Sequence, residues 1–273
     1  MIKSPLNYPG NKYKLLKQLL PLFPKDISTF VDLFGGSGTV MANVEADNYI
    51  YNEYNTWVYK IIKMFLETES NDLLSQVKEA MKERDLVRGN KEAFLKLRED
   101  FNSGNKTPLN LYLLSCFCFS NQIRFNSKGE FNTPFAGDRQ FSSIMEKNIP
   151  LIYDFFYNKS ILMLNEDFGK VEIPDNSFVY VDPPYLGTVA VYNEQGGWDR
   201  EKEQRMYNFL DTLTNRGIKW AVSNDLSKNP MILYWAQERY TIIDLNYDYS
   251  KSSYHSKREF GSTKEVLITN YEG

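Results

Sequence analysis

Apolar residues along this chain fall into short blocks separated by polar turns. Seven blocks are rich in β-branched and aromatic residues over four to seven positions: Thr29 to Phe34, Asn48 to Glu53, Ile161 to Leu164, Phe178 to Val181, Ile218 to Asn224, Tyr240 to Asn246, and Glu265 to Thr269. That length and make-up predict buried strands. Elsewhere the period changes. A short helix is expected through Lys17 to Leu20, halted by Pro21 and Pro24. From Thr56 to about Arg98 the pattern is charged and helical, with Leu73, Leu74, Val77, Ala80 and Met81 at three- and four-residue spacing, continued by Phe94, Leu97 and Phe101. Asn102 to Asn105 is a break, Leu109 to Phe119 reads as an apolar core helix, and another helix is expected from about Asp199 to Thr214. Strands alternating with helices predict an α/β fold with a mainly parallel, doubly wound sheet. Residues 56–148 interrupt the alternation. The predicted organisation is therefore a discontinuous sheet domain, 1–55 with 149–273, carrying a mostly helical insertion at 56–148.

The insertion changes character near its end. Ser120 to Phe135 reads as a β-hairpin turning at Ser127-Lys128-Gly129, with Asn, Gln, Arg and aromatic rings on its arms in place of a clean apolar face. The ribbon is taken as 119–135. A two-stranded ribbon can enter a DNA major groove; a partly hydrophobic surface hairpin is the competing reading.

Two strand ends carry candidate chemistry. After Thr29 to Phe34 comes Gly35-Gly36-Ser37-Gly38 and then a helical stretch from Thr39, the strand, glycine turn and helix of a nucleoside-binding unit. Glycines let backbone approach a ligand closely. The spacing is not G-x-G-x-x-G, so a ligand without phosphates fits better than a dinucleotide. Glu53 ends the next strand about 20 residues on, where an acid binds ribose hydroxyls in such folds. The other strand end is Asp182-Pro183-Pro184-Tyr185. Its prolines cannot donate to a strand ladder, which leaves a stiff turn with an acid, a ring and free carbonyls at a C-terminal strand end. Read alone, this tetrapeptide is equally a capped surface turn. Beside the glycine turn it suggests group transfer to a weakly nucleophilic aromatic amine: Asp182 and the Pro183 carbonyl accept its two N–H bonds, and Tyr185 stacks on its ring. Such a base must leave the duplex to react.

Composition narrows the field. Hydrophobic residues make up 42% and charged residues 25% of the chain, ordinary for a globular protein. The net charge of −3 argues against an evenly basic surface but leaves room for a basic cleft. No apolar run is long enough to span a membrane, and Met1 to Pro5 lacks an apolar signal core. Cys116 and Cys118 sit in an apolar run without a second pair, which predicts buried thiols in a reducing compartment and no metal site. With a single histidine, His255, two-imidazole mechanisms are excluded. A polar loop from Leu186 to Trp198, containing Tyr192, is long enough to be functional, as is a basic one from Tyr249 to Thr263 with Lys251, Lys257 and Arg258.

The ordered set Asn-Tyr-Pro-Gly-Asn-Lys (7–12), Phe-Val-Asp-Leu-Phe-Gly-Gly-Ser-Gly (30–38), Ser-Asn-Gln-Ile-Arg-Phe-Asn-Ser-Lys-Gly (120–129), Asp-Pro-Pro-Tyr (182–185) and Tyr-His-Ser-Lys (254–257) resembles the Dam-type DNA adenine-N6 methyltransferases, most of all their T-even phage branch. The resemblance implies a Rossmann-like seven-stranded methyltransferase sheet with an inserted target-recognition domain. It implies S-adenosyl-L-methionine as cofactor, double-stranded DNA as partner, no metal, no obligatory protein partner, and a bacterial or phage-infected cytoplasm. By position it implies cofactor contacts at Tyr8, Lys12, Asp32, Phe34, Gly35, Gly36, Ser37, Glu53, Asp167, Phe168 and Asp182, and a catalytic role for Asp182 to Tyr185. Arg124 and Pro134 match readers of 5′-GATC. Asn121 and Gln122 lie where residues intrude at the flipping site, and Ser120, Asn126, Asn132 and Arg139 complete the DNA-facing set. Glu53 stands where Asp is commoner, and the stretch after Phe135 is one residue longer than the family pattern. Cytosine-N4 methylation usually has Ser at the head of the tetrapeptide and protein-glutamine methylation has Asn. A nicotinamide oxidoreductase would need the missing glycine pattern, and a non-enzymatic DNA-binding module would not need Asp182.

Overall fold

In the computed structural model, residues 1–186, 197–245 and 264–272 are described. Most of the expected loop after Tyr185, with Tyr192, lies outside them, as do the basic loop and His255. All seven expected strands are present: β1 Thr29–Asp32, β2 Asn48–Asn52, β3 Ser160–Leu164, β4 Ser177–Val181, β5 Lys219–Asp225, β6 Thr241–Asp244 and β7 Glu265–Thr269. They form one sheet in the order β3-β2-β1-β4-β5-β7-β6. Six strands point the same way, and β7 alone is reversed, antiparallel to both β5 and β6. The expectation of a mainly parallel, Rossmann-like sheet holds.

Side-chain alternation assigns the two faces. Phe30, Tyr49, Phe178 and Tyr180 point one way, into a cluster with the helices that follow β2. Val31, Ile50, Val179, Val181 and Trp220 point the other way. The first layer is built from α1 Leu16–Leu19, α2 Thr56–Glu67, α3 Ser70–Glu83, α4 Lys91–Asn102, α5 Pro108–Phe117 and α6 Ser143–Phe156. Local rules explain their starts. The Asn55 side chain accepts from the backbone N–H groups of Trp57 and Val58 to cap α2, and Thr107 caps α5 ahead of Pro108. Val58, Ile61, Ile62 and Phe65 then bury one stripe of α2. The insertion thus shares a core with the sheet, and α6 runs unbroken across residues 148 and 149. The second layer is α7 Arg200–Asn215 and α8 Pro230–Ala236.

Three local expectations need correction. No regular helix follows the glycine turn; a single 3₁₀ turn, Met41–Asn43, takes its place. Val44 returns to extended backbone and Asn43 turns its amide back onto Ile2 and Thr39. The first helix does not stop at Pro21 but tightens into a 3₁₀ turn through it. The ribbon is looser than a regular hairpin. Its arms meet at two isolated bridges, Cys118 with Phe135 and Phe125 with Phe131, and the turn closes from Asn126, whose carbonyl accepts from Gly129. Ser120 and Asn121 both lie at φ 54°, the left-handed region that non-glycine residues seldom adopt. That kink replaces regular pairing at the ribbon's base.

Candidate active site

The strand order reverses between β1 and β4, and in open α/β sheets ligands bind at the carboxyl ends of the strands at such a point. A cleft opens there. It is lined by the ends of β1, β2 and β4, by the segment after β3, and by the loop carrying Tyr8 to Lys12. The turn after β1 folds tightly over the neighbouring strand. A Cβ on Gly35 would fall 2.2 Å from the Tyr51 ring, so only glycine fits. The Tyr51 hydroxyl donates to the Gly36 carbonyl at 2.7 Å. Gly36 itself sits at φ 49°, and its N–H donates to Glu53 at 2.9 Å. Glu53 also accepts from the Asn55 N–H at 2.7 Å, which fixes its carboxylate over the glycine turn.

Charge dominates the cleft. Asp32, Glu53, Glu166, Asp167 and Asp182 line it against Lys12 and Lys202. Lys12, 6% exposed, reaches across to Asp182 at 2.7 Å. Burial pushes Asp182 up to about 6; Lys12 pulls it down and Glu265 pushes it further up. Glu53 rises to about 7 through burial, against the two backbone N–H groups it accepts. Asp32 rises to about 8, through burial first and then through Asp182 and Glu53, with the Met41 N–H opposing. An acid-lined cleft of this kind favours a cation. On its other wall Phe34, Phe168 and Trp198 pack ring to ring at centroid distances of 5.4 to 5.8 Å, an apolar slot suited to a flat ring. Ser37 is buried with its hydroxyl bonded to Thr39 at 2.8 Å. Asp167 pairs with Arg205 at 2.6 Å, and that guanidinium covers the Phe168 ring.

The structure therefore gathers Tyr8, Lys12, Asp32, Phe34 to Ser37, Glu53, Asp167, Phe168, Asp182 and Pro184 around one cleft, although they come from five separate stretches of chain. Pro183 is buried behind the turn, and Tyr185 meets the cleft through Lys12, whose ammonium donates to its hydroxyl at 3.1 Å. Three participants escaped the sequence reading. Trp198 was placed only in a long loop, yet its indole N–H donates to buried Glu203, which also accepts from Tyr207 and Asn229 at 2.6 Å. Glu265 was read as a strand residue. For the two acids the signal was an isolated carboxyl on an otherwise apolar helix face or strand; Trp198 had none.

On the ribbon, the Arg124 Nε donates to Asn132 at 2.9 Å, which orients the exposed guanidinium. Asn126 accepts from the Lys128 and Glu130 N–H groups and shapes the turn. Pro134 is exposed, and Ser120 and Arg139 are half-buried. Asn121 and Gln122, expected at the DNA-facing surface, are instead buried. Asn121 spends its amide on structure, donating to the Ser115 carbonyl at 2.9 Å and accepting from Asn7 at 2.8 Å. Phe119, beside it, is 56% exposed. Among the described residues no group of His, Cys, Asp and Glu is placed to hold a metal, and no helix is long and apolar enough to cross a membrane.

A family model for D12 class N6 adenine-specific DNA methyltransferases matches residues 8–250. The chain belongs to that family. It is 39% identical over 284 residues to the modification methylase StsI of Streptococcus sanguinis and 38% identical over 282 residues to the type II methyltransferase M.FokI of Planomicrobium okeanokoites. Each match takes in 99% of this chain but 43% of the relative, so the chain spans less than half the length of these proteins. The DNA adenine methylase of Escherichia coli is 26% identical over 238 residues, 80% of this chain and 79% of that protein. The family resemblance holds, but the leaning toward phage Dam enzymes does not: StsI and M.FokI are more similar to this chain than the Escherichia coli DNA adenine methylase is.

The raised carboxyls set a pH dependence of stability. Between the ordinary carboxylate value near 4 and their folded values of about 6, 7 and 8, Asp182, Glu53 and Asp32 keep protons that the unfolded chain has released. The folded state then binds more protons, so stability falls as pH rises through that window. Thermal melts of the unliganded chain should give a lower Tm at about pH 8.5 than at about pH 5.5, with a shallower fall in Asp32→Asn. A Tm that climbs across that interval would contradict the assignment.

Proposed function

We propose that the chain is a site-specific DNA adenine-N6 methyltransferase that uses S-adenosyl-L-methionine and acts on an adenine turned out of the duplex, within 5′-GATC. The observation that carries this is the position of Asp182. It ends β4 at the topological switch point, beside the acid-lined cleft, and is held there by Lys12 at 2.7 Å.

The residues of the cleft fit the cofactor. Its cationic groups suit the excess of carboxyls, its purine suits the slot of Phe34, Phe168 and Trp198, and Glu53 at the end of β2 stands where ribose hydroxyls are bound in this architecture. Gly35 and Gly36 let the backbone come close without a Cβ in the way. When bound, the cofactor supplies an electrophilic methyl group on a sulfonium. The chain's own work is positional. The adenine amino group is a poor nucleophile because its lone pair is delocalised into the ring. Asp182 as a carboxylate accepts one of its N–H bonds and the Pro183 carbonyl accepts the other, which localises the lone pair toward the methyl. Lys12 keeps Asp182 aimed and favours its charged form. The Tyr185 ring stacks on the displaced base.

Recognition falls to the ribbon. Arg124 presents a planar fork, held through its Nε, that can donate twice to guanine O6 and N7. The exposed Phe119 ring at the ribbon's base is the kind of wedge that separates stacked bases. The Escherichia coli relative is named a DNA adenine methylase, and the longer relatives are named a modification methylase and a type II methyltransferase. Those names support adenine methylation and leave the sequence to be read from the ribbon.

Two experiments test this reading. Sequencing of DNA from cells expressing the chain should map N6-methyladenine to one short motif containing guanine just before the adenine. Asp182→Ala should remove those marks, lower the single-turnover rate by about 10²–10³ or more, and leave DNA binding largely intact. A wild-type chain that leaves no N6-methyladenine would refute the function, and a near-normal rate in the variant would take Asp182 out of the mechanism. Arg124→Ala should cut kcat/KM on GATC by about tenfold or more, the equivalent of one bidentate base contact. The loss should be smaller on sites lacking that guanine, at fixed salt. Equal losses on every sequence would make Arg124 a phosphate contact.

A further inference from the structure

Glu265 begins β7, the last strand in the chain and antiparallel to its neighbours, and it is 1% exposed. The three residues that follow, Val266, Leu267 and Ile268, are fully buried and apolar. A carboxylate at the head of such a strand is costly to bury and needs partners. It has them in the active site. The Tyr185 hydroxyl lies 2.9 Å from one Glu265 carboxylate oxygen and 3.1 Å from the other, and Lys12 is 4.0 Å away. The same hydroxyl accepts from Lys12 at 3.1 Å, while Lys12 is paired with Asp182. A phenol hydroxyl held between a carboxylate and an ammonium is anchored at the tip of its ring, and its in-plane O–H bond to the carboxylate favours one ring orientation.

We propose that Glu265 is a positioning residue for methyl transfer: it fixes the Tyr185 ring, through the phenol hydroxyl, in the plane against which the displaced adenine stacks. Glu265 does not touch the base. Its effect is exerted through Tyr185, and the Lys12 ammonium that bridges Tyr185 to Asp182 ties the ring and the acceptor carboxylate into one unit. The role rests on the proposed adenine methylation and adds to it a residue contributed by the last strand of the sheet.

A double-mutant cycle tests this on the full chain. The substrate is a duplex carrying the adenine mapped in cells, at saturating S-adenosyl-L-methionine. Glu265→Ala should lower the single-turnover rate by about tenfold to a hundredfold, the rate equivalent of one charge-assisted hydrogen bond, with the cofactor KM little changed. Glu265→Gln should recover part of the rate, because its amide oxygen still accepts from the phenol. In a Tyr185→Phe background neither substitution should cost anything further. With 2-aminopurine in place of the target adenine, the Glu265→Ala complex should fluoresce more brightly than wild type, since a loosened ring quenches the displaced base less. Losses that persist undiminished in Tyr185→Phe, or a 2-aminopurine signal identical to wild type, would overturn the role and leave Glu265 a structural acid. If Glu265→Ala fails to fold, the Gln arm of the cycle decides the matter by the same criterion. A wild-type chain that methylates no duplex adenine would instead refute the functional reading itself, and this role with it.

Discussion

The ion pair between Lys12 and Asp182 is the contact on which the site depends. It spans 2.7 Å and joins an N-terminal loop to the end of β4, a separation of 170 residues in sequence. It forms in an electrostatically unfavourable place. Five carboxyl groups line the cleft, and burial drives three of them well above the ordinary carboxylate range. Without the ammonium, Asp182 would sit beside Glu265 and Asp32 with nothing to favour its charge. With it, Asp182, at about 6, is the most ionised of the three raised acids near neutral pH, while Asp32, at about 8, still holds its proton. The fold stores an unmet demand for a cation at the switch point and satisfies it only in part.

That demand links the two halves of the molecule. The loop that delivers Lys12 also carries Asn7, which donates to Asn121 at the kinked base of the ribbon. Asn121 in turn holds the end of α5. The ribbon and the cleft are therefore braced by one loop, and the insertion that bears the ribbon shares its core with the sheet. The left-handed Ser120 and Asn121 are the local strain through which the ribbon leaves that core.

Much of this was legible beforehand. Strand blocks are short and rich in β-branched and aromatic residues, so all seven strands were found within a residue or two. The motifs at Gly35, Glu53 and Asp182 announce themselves because turns, acids and prolines at strand ends are local features. What sequence could not show was pairing across distance. Glu265 and Glu203 look like isolated acids until the fold brings Tyr185 and Trp198 to them. Asn121 was expected at the DNA-facing surface from the family resemblance; its burial follows from one backbone and one side-chain partner that no spacing rule encodes. The missing helix after the glycine turn has the same origin: propensity favoured it, and the return of Asn43 to Ile2 won.

Under the proposed function, Asp32 and Glu53 in the cleft at the β1–β4 switch point still hold part of their protons near pH 7 when the cationic cofactor enters. Titration calorimetry with S-adenosyl-L-methionine at pH 7, in two buffers of different ionisation enthalpy, tests it directly. Binding should release protons, because the incoming positive charge lowers the carboxyls that Glu53 and Asp32 hold near 7 and 8. The observed enthalpy should then differ between buffers, and Asp32→Asn should shrink the difference. A binding enthalpy independent of buffer, proton uptake, or no binding at all would contradict the account.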